Sequence, residues 1–397
     1  MEPIVIVGAG PVGLISAMRL SQLEIPSIII EKNQTVQDEL RASTFHPPTL
    51  EMLDVLGITK ELISIGLQTS QWQYRIHETE ESAVFDLCDI EAETKYPFRL
   101  QVEQKELCRI ATEKILKDDN IELRMGHELL GFEQNNKRVM MTVSGREQAE
   151  YFLRAPIVIA ADGGNSRLRK QMALNFSGLT YPETTILVAT KTPFHEHLNN
   201  LSNVNYVWSD WGTFSLLRLP NIWRCSLYPD TNERTEEAIK KENIIKKIQR
   251  IIPSINDFKI VEVRPYKIHQ RILDKYDHGR VVFAGDAAHL NSPSGGMGMN
   301  GGIHDAWSLG RIAADILRGE QPISRLALYS KERQKIAKKE ILQNAHKNRS
   351  RMQERDKEAR INELAKLQEI ALDPRRAKEF LLRSSKISGL KGTEKDY

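Results

Sequence analysis

Three glycine-rich segments, widely separated in a chain of 397 residues, have the composition to hold a phosphorylated ligand. In Gly8-Ala9-Gly10-Pro11-Val12-Gly13, Gly8 permits a tight turn, Gly10 lets the backbone approach a pyrophosphate, and Gly13 lets a helix pack closely on a strand. The helix that follows would turn its free N–H groups toward anionic phosphate. Glu31, closing the next apolar run, is placed to accept hydrogen bonds from ribose hydroxyls. The second segment, Ala161-Asp162-Gly163-Gly164, ends another apolar run. The third opens with Gly285-Asp286-Ala287-Ala288-His289 and continues from Pro293 through Gly298, Met299 and Asn300 to Gly302. There Asp286 is a short acceptor at the carboxyl edge of a strand, where open α/β sheets bind ligands. So many glycines let backbone N–H groups crowd against a bound ligand.

The elements that must position these turns follow from periodicity. Pro3 to Val7 reads as a strand, the apolar spacing after Pro11 as a helix, and Ser27 to Glu31 as a second strand, together a βαβ unit. Helices are expected over Thr49 to Leu67, interrupted at Gly57, and over Lys105 to Leu116. Trp72 to Phe85 alternates as one exposed-face strand would. Residues 131–143 and 149–161 read as a hairpin joined by Ser144-Gly145-Arg146. Thr185 to Tyr228 reads as an antiparallel sheet inserted as its own layer, and Arg280 to Ala284 as one more buried strand. Gly285 to Gly302 reads as a loop and Ile303 to Leu317 as a helix. Charged helices then run to Leu372, where Asp373-Pro374 stops them.

The fold class is therefore α/β: a Rossmann-like dinucleotide-binding domain with an inserted antiparallel-sheet substrate domain and a helical C-terminal tail. The expected divisions are 1–75, 98–180 and 265–320 for the first, 76–97 and 181–264 for the second, and 321–397 for the tail. Composition supports an ordinary globular protein, with 40% hydrophobic and 27% charged residues. No stretch approaches the ~20 apolar residues of a membrane span. No basic segment and cleavage site open the chain, so the cytoplasm is the expected location. Cys88, Cys108 and Cys225 are widely spaced, which argues against a disulfide framework or a structural zinc. From Lys331 on there are 19 Lys/Arg against 11 Asp/Glu, with the acids interspersed. That is the pattern of a solvated helical face packing on the dinucleotide domain or a second subunit, not of a nucleic-acid site.

The three motifs in this order resemble the class A flavin monooxygenases typified by para-hydroxybenzoate hydroxylase, over roughly residues 1–320. The resemblance implies FAD on the amino-terminal turn. It gives the Asp162 motif to flavin and nicotinamide phosphates alike, and Asp286 to the ribityl chain. Arg41 matches the family's arginine at the pyrophosphate, and Gln104 its flavin-contacting glutamine. The chain departs from the pattern at Ser292-Pro293, at Gly296-Met297-Gly298 and at Ser308, which bears on flavin mobility. No second dinucleotide motif is needed, because the family's donor, NADPH or NADH, docks transiently.

By that resemblance, NAD(P)H reduces FAD, O₂ adds at the flavin C4a position, and the hydroperoxide's distal oxygen passes to an electron-rich ring. The expected activity is single-component hydroxylation of a small aromatic or N-heteroaromatic, phenol-like compound by a monomer or homodimer. Trp72, Tyr74, Tyr206, Trp208, Trp211, Phe214, Trp223 and Tyr228 crowd the cover sheet and favour a flat substrate. Arg224 could hold a carboxylate or stabilise a phenolate. A base is sought among His46, Tyr206 and Tyr228, while Arg169 either faces the nicotinamide donor or caps its own turn. Rival readings are a reductase or halogenase on the same scaffold, or a flavin-holding sensor. A halogenase would be expected to carry Trp-x-Trp-x-Ile-Pro, which Trp208-Ser209-Asp210-Trp211 does not match.

Overall fold

The computed structural model describes residues 1–35, 42–145, 149–291 and 295–387. Ile4–Val7, Ser27–Glu31, Ile121–Met125, Val158–Ala160 and Val281–Phe283 are short apolar strands that pair in parallel. With the antiparallel edge strand Asp277–His278 they form a six-stranded sheet in which Ile4–Val7 lies between Val158–Ala160 and Ser27–Glu31. This order brings the carboxyl ends of the first and second glycine-rich strands side by side. The helix Pro11–Gln22 starts with proline at its first position and packs against the long helix Met297–Leu317. Arg19 lies over the Trp307 ring, 3.9 Å from its centroid, and Gly310 leaves room for the Arg19 stem.

The second layer is an eight-stranded sheet. It runs from His289–Leu290 through Ile260–Leu273, Phe176–Thr190, Trp223–Leu227, Gly212–Arg218 and Val204–Ser209 to Gln71–Ile76 and Ser82–Asp86. All pairings are antiparallel except Val204–Ser209 with Gln71–Ile76, which departs from the expected wholly antiparallel layer. That strand arrives from a distant part of the chain, so no hairpin dictates its direction. The alternation of the strands sorts the two faces. Ile186, Val188, Leu216, Cys225 and Leu227 bury against Ile244, Ile248 and Ile251 of the helix Lys241–Ile251. The other face carries Thr185, Leu187, Tyr206, Leu217, Arg224 and Tyr266 toward the glycine-rich turns.

Several expectations change. Trp72 to Phe85 is not one strand with an open face but a hairpin, Gln71–Ile76 with Ser82–Asp86, and its aromatic side is covered. The cover is the tail. The helices Lys357–Leu372 and Pro374–Ser384 pack on this hairpin, with Phe380 4.4 Å from Phe85 and 5.9 Å from Trp72, centroid to centroid. The basic tail thus lies on the inserted sheet rather than on the dinucleotide layer alone. Asp373 does stop one helix, and its side chain then caps the next by accepting from the Arg375 and Arg376 amides. Residues 131–143 hold two strands, Glu128–Gln134 and Val139–Ser144. The stretch 149–161 divides into Glu150–Ala155 and Val158–Ala160, which join different sheets. Arg146 lies outside the described residues. The strands Gln71–Ile76, Phe176–Thr190 and Ile260–Leu273 cross the divisions drawn at 75, 180 and 264, because each belongs along its whole length to the eight-stranded sheet.

Leu381 is fully buried under the hairpin. Leu381→Ala is expected to cost ~2–5 kcal/mol of unfolding free energy, read by urea denaturation. A loss below ~0.5 kcal/mol would mean that the tail is not part of the cooperative fold.

Candidate functional site

The first turn is built by close approach. Gly8 has φ +107°, and a Cβ there would lie 2.5 Å from the Ala161 carbonyl oxygen; one on Gly13 would lie 1.9 Å from the Gly8 oxygen. Gly10 differs from both. It caps the helix Pro11–Gln22 without a side-chain hydrogen bond, and a Cβ there would meet nothing within 4 Å. Glu31 is oriented by its loop: one oxygen accepts from the Ala9 amide at 2.9 Å and the other from the Asn33 amide and side chain. Asp162 accepts from the Arg167 and Leu168 amides, so it caps the short helix Arg167–Gln171 while its carboxyl, raised by burial, faces the same space. Arg169 is buried. It donates to the Ala287 and Gly164 carbonyls, tying the second turn to the third, and does not reach out toward a donor.

The third turn rests on a network that the amino-acid pattern does not announce. Asp305, fully buried on the helix Met297–Leu317, accepts from the Gly285 amide at 3.0 Å, lies 2.8 Å from His289 Nε2, and accepts from Arg333 Nε at 2.7 Å. Arg333 and His289 hold its carboxyl well below the usual carboxylate range, overcoming the opposing effect of burial. Gly285 stands at φ +60°, where a Cβ would strike Val12, and Asp286 projects exposed beyond it. The expected loop 285–302 is shorter than its glycines suggest. A helix begins at Met297, capped by Gly296 at φ +66° with no side-chain partner, so Gly298, Met299 and Asn300 occupy its first turn. Asn300 is buried and structural, donating to the Thr44 and Gly296 carbonyls and accepting from the His46 amide.

These turns and the inserted sheet enclose one cavity of about 1010 Å³. That is at the upper end of the ~300–1,000 Å³ common for ligand sites. Gly8, Gly10, Glu31, Gln104, Asp162, Asp286, Gly298 and Met299 line one side. Tyr206, Phe214, Leu217, Arg224 and Tyr228 line the other.

The whole chain shows its relatives. Residues 1–345 match the FAD binding domain family. The chain belongs to the class A FAD-dependent aromatic monooxygenases. It is 28% identical over 400 residues to the para-nitrophenol 4-monooxygenase of Pseudomonas sp. (strain WBC-3), covering 100% of this chain and 98% of that one. It is 28% identical over 336 residues to the 6-hydroxy-3-succinoylpyridine 3-monooxygenase HspB of Pseudomonas putida, covering 84% of each. The crystal structure of the p-nitrophenol 4-monooxygenase PnpA of Pseudomonas putida superimposes with a TM-score of 0.91 at 28% identity, covering 99% of both chains.

The residues of this monooxygenase fit FAD. Gly10 and Gly163 leave open space at the cavity wall, and the two helices that begin there, at Pro11 and Met297, keep N–H groups uncapped by side chains. Of the aromatics expected on the cover sheet, Tyr206 and Tyr228 reach the cavity, while Phe214 borders it from a strand whose alternation turns its ring behind the sheet, stacked on Trp211. Trp72, Tyr74 and Trp208 bury instead beneath the tail, and Trp223 packs on Phe194 behind the sheet. Arg224 points inward but is already paired with Glu103 at 3.1 Å. His46 does not line the cavity: it sits behind the Gly295–Gly296 turn, with Nε2 2.8 Å from the Gly295 oxygen. Gln104 opens the helix Gln104–Ile115 and also lines the cavity, so both readings of that residue apply. Arg41 and Pro293 lie outside the described residues. Asp305, Arg333 and Arg99 were missed. Each is isolated in sequence from the residues it meets, so no local signal marks it. Among the described residues no group of His, Cys, Asp and Glu could hold a metal, and no helix is long and apolar enough to cross a membrane.

His46 and His304 are both held well below the usual imidazole range by burial. Arg99 and Lys386 add to the effect at His46; Lys386 and Arg333 add to it at His304, where Asp305 opposes it. Folding therefore favours the neutral rings. This contribution is complete above ~6.5 and is lost as the pH falls, because the unfolded chain binds protons that the folded one refuses. Unfolding at about pH 5 should take up about two more protons than at about pH 8 from this pair. The melting temperature should fall over that interval, and His46→Gln/His304→Gln should flatten the fall. An unchanged profile in the double variant would contradict the assignment.

Proposed function

We propose that this chain hydroxylates a small phenol-like aromatic or N-heteroaromatic compound with NADPH or NADH and O₂. The observation that carries this reading is the continuity of the cavity, from the uncapped amides of the glycine turns to the inward face of the inserted sheet. FAD, when bound, supplies the electron transfer from the nicotinamide and the activation of O₂ that no side chain can perform. Gly8, Gly10 and Gly13 shape the pyrophosphate turn, and the family resemblance gives Arg41 to the pyrophosphate. Glu31 takes the ribose, Asp286 the ribityl hydroxyls, and the Gly298 and Met299 amides, with Gln104 and Asp162, the ring system and its linker. Leu217 and Tyr206 keep water from the reacting face. Arg224 and Glu103 together shape the far wall.

The division into a dinucleotide domain, an inserted substrate domain and a tail is proposed along the lines drawn above, shifted to the ends of the crossing strands. A cytoplasmic monomer or homodimer is proposed as the working form. The likeness of the whole chain to para-nitrophenol 4-monooxygenases makes 4-nitrophenol the first compound to try. FAD-loaded protein should oxidise NAD(P)H faster with a phenol, hydroxybenzoate or hydroxypyridine, consume O₂, and yield a product heavier by one oxygen atom, or, where the oxygen enters at a carbon bearing a leaving group as in 4-nitrophenol, a product in which that group has left as nitrite. Nicotinamide oxidation without such a product would favour a reductase, a chlorinated product would favour a halogenase, and a colourless protein that refuses FAD would end the proposal.

A further inference from the structure

Arg99 stands on the short strand Arg99–Gln101, between Thr44–Phe45 and Leu67–Thr69, and its side chain enters the cavity wall from the dinucleotide layer. It is 3% exposed. Its guanidinium lies over the Trp72 ring, 4.4 Å from the centroid, and its Nε has no hydrogen-bond partner. The phenol groups of Tyr206 and Tyr74 stand beside it, and no carboxylate among the described residues offsets its charge. The contrast with its neighbours is sharp. Arg224 faces Glu103, Arg349 pairs with Glu183, and Arg75 pairs with Glu80, but Arg99 is a desolvated cation without a counter-ion.

A buried cation of this kind is costly, and what it lacks is a planar or single-atom anionic oxygen. Tyr206 stands beside it and lines the same cavity. We infer that Arg99, with the Tyr206 hydroxyl, is the site that binds an anionic oxygen of the aromatic substrate. This inference rests on the proposed hydroxylation and adds the charge of the substrate and its anchor. The ring is bound ionised, with the charged oxygen at Arg99 and the ring plane along Leu217. An ionised oxygen donates electron density to the ring, which suits attack by an electrophilic oxygen. The shared chemistry can come from a phenolate or from a ring carboxylate.

The test is titration of the FAD-loaded protein with 4-nitrophenol, whose phenolate and phenol absorb differently, with 4-nitroanisole as the uncharged match and benzoate as the carboxylate arm. A bound 4-nitrophenol that stays ionised below its solution pKa, with 4-nitroanisole binding weakly, supports the phenolate form. Displacement by benzoate, lost in the variant, supports the carboxylate form. Arg99→Met should raise the Kd of the anionic probe roughly ten- to a hundredfold while FAD remains bound, and Arg99→Lys should recover part of the loss. The wild-type spectrum alone keeps the test open if Arg99→Met fails to fold. A probe bound as the neutral phenol, with no competition from benzoate, overturns the inference. So does an unchanged Kd in Arg99→Met. Anion binding at Arg99 without any oxygenated product would instead sink only the hydroxylation.

Discussion

Replacing Asp305 by asparagine should destabilise the protein by ~3–5 kcal/mol, because it leaves the Arg333 guanidinium buried opposite a neutral partner. Arg333 is 3% exposed and donates to Asp305 at 2.7 Å, with a second, longer bond to the Gly301 oxygen. The same carboxylate accepts from the Gly285 amide and meets His289, so the loss should propagate to the turn that presents Asp286. Unfolding by urea, followed with and without added FAD, separates the two effects. The variant should lose stability in both conditions and gain less from FAD than the wild type does. The Asp305 carboxylate is held below its ordinary range, so its contribution is present above the unfolded value of ~4 and disappears only as the pH falls further. A variant within ~0.5 kcal/mol of wild type would show that the network contributes nothing net.

The second large effect should come from two glycines three positions apart. Gly13→Ala forces a methyl group to within 1.9 Å of a backbone oxygen that cannot swing aside. Overpacking of that kind costs ~1–3 kcal/mol or more, and here the strand and helix must separate to relieve it. Gly10→Ala should behave oppositely. Gly10 has φ −74° and open space around it, so stability should change by less than ~0.5 kcal/mol. The methyl group would stand where backbone must approach pyrophosphate. The Kd for FAD should therefore rise at least tenfold, about 1.4 kcal/mol. Calorimetric melting and fluorescence titration with FAD would check the pair. Equal effects on stability from both substitutions would refute the division of labour between them.

Much of the site could be read locally. Gly8, Gly10, Gly13 and Glu31 belong to one βαβ unit, so their spacing reports a shape that neighbouring residues build among themselves. The same holds for the Asp162 and Gly285-Asp286 turns, each at the end of a short apolar strand. Their order along the chain was sufficient to point to the flavin monooxygenase family. Local pattern failed where a contact was long-range. Trp72, Tyr74 and Trp208 alternate as a substrate wall would, yet the tail covers them, with Arg351 donating to the Tyr74 hydroxyl and accepting from Trp208 through its carbonyl.

Local pattern carries the dinucleotide turns, the α/β class and the likeness to the family. Each of these is encoded in backbone freedom at glycine and in hydrophobic period over a few residues. Three-dimensional packing sets Arg99 at the cavity with no carboxylate beside it among the described residues. Arg224 and Arg99 are indistinguishable as residue types, and the difference lies in Glu103, which stands 3.1 Å from one of them. It also decided that the basic tail reaches the site, where Lys386 donates to the Met297 carbonyl. Charge compensation and burial are sums over everything nearby in space. Neighbours brought together from opposite ends of a chain leave no trace in its local pattern.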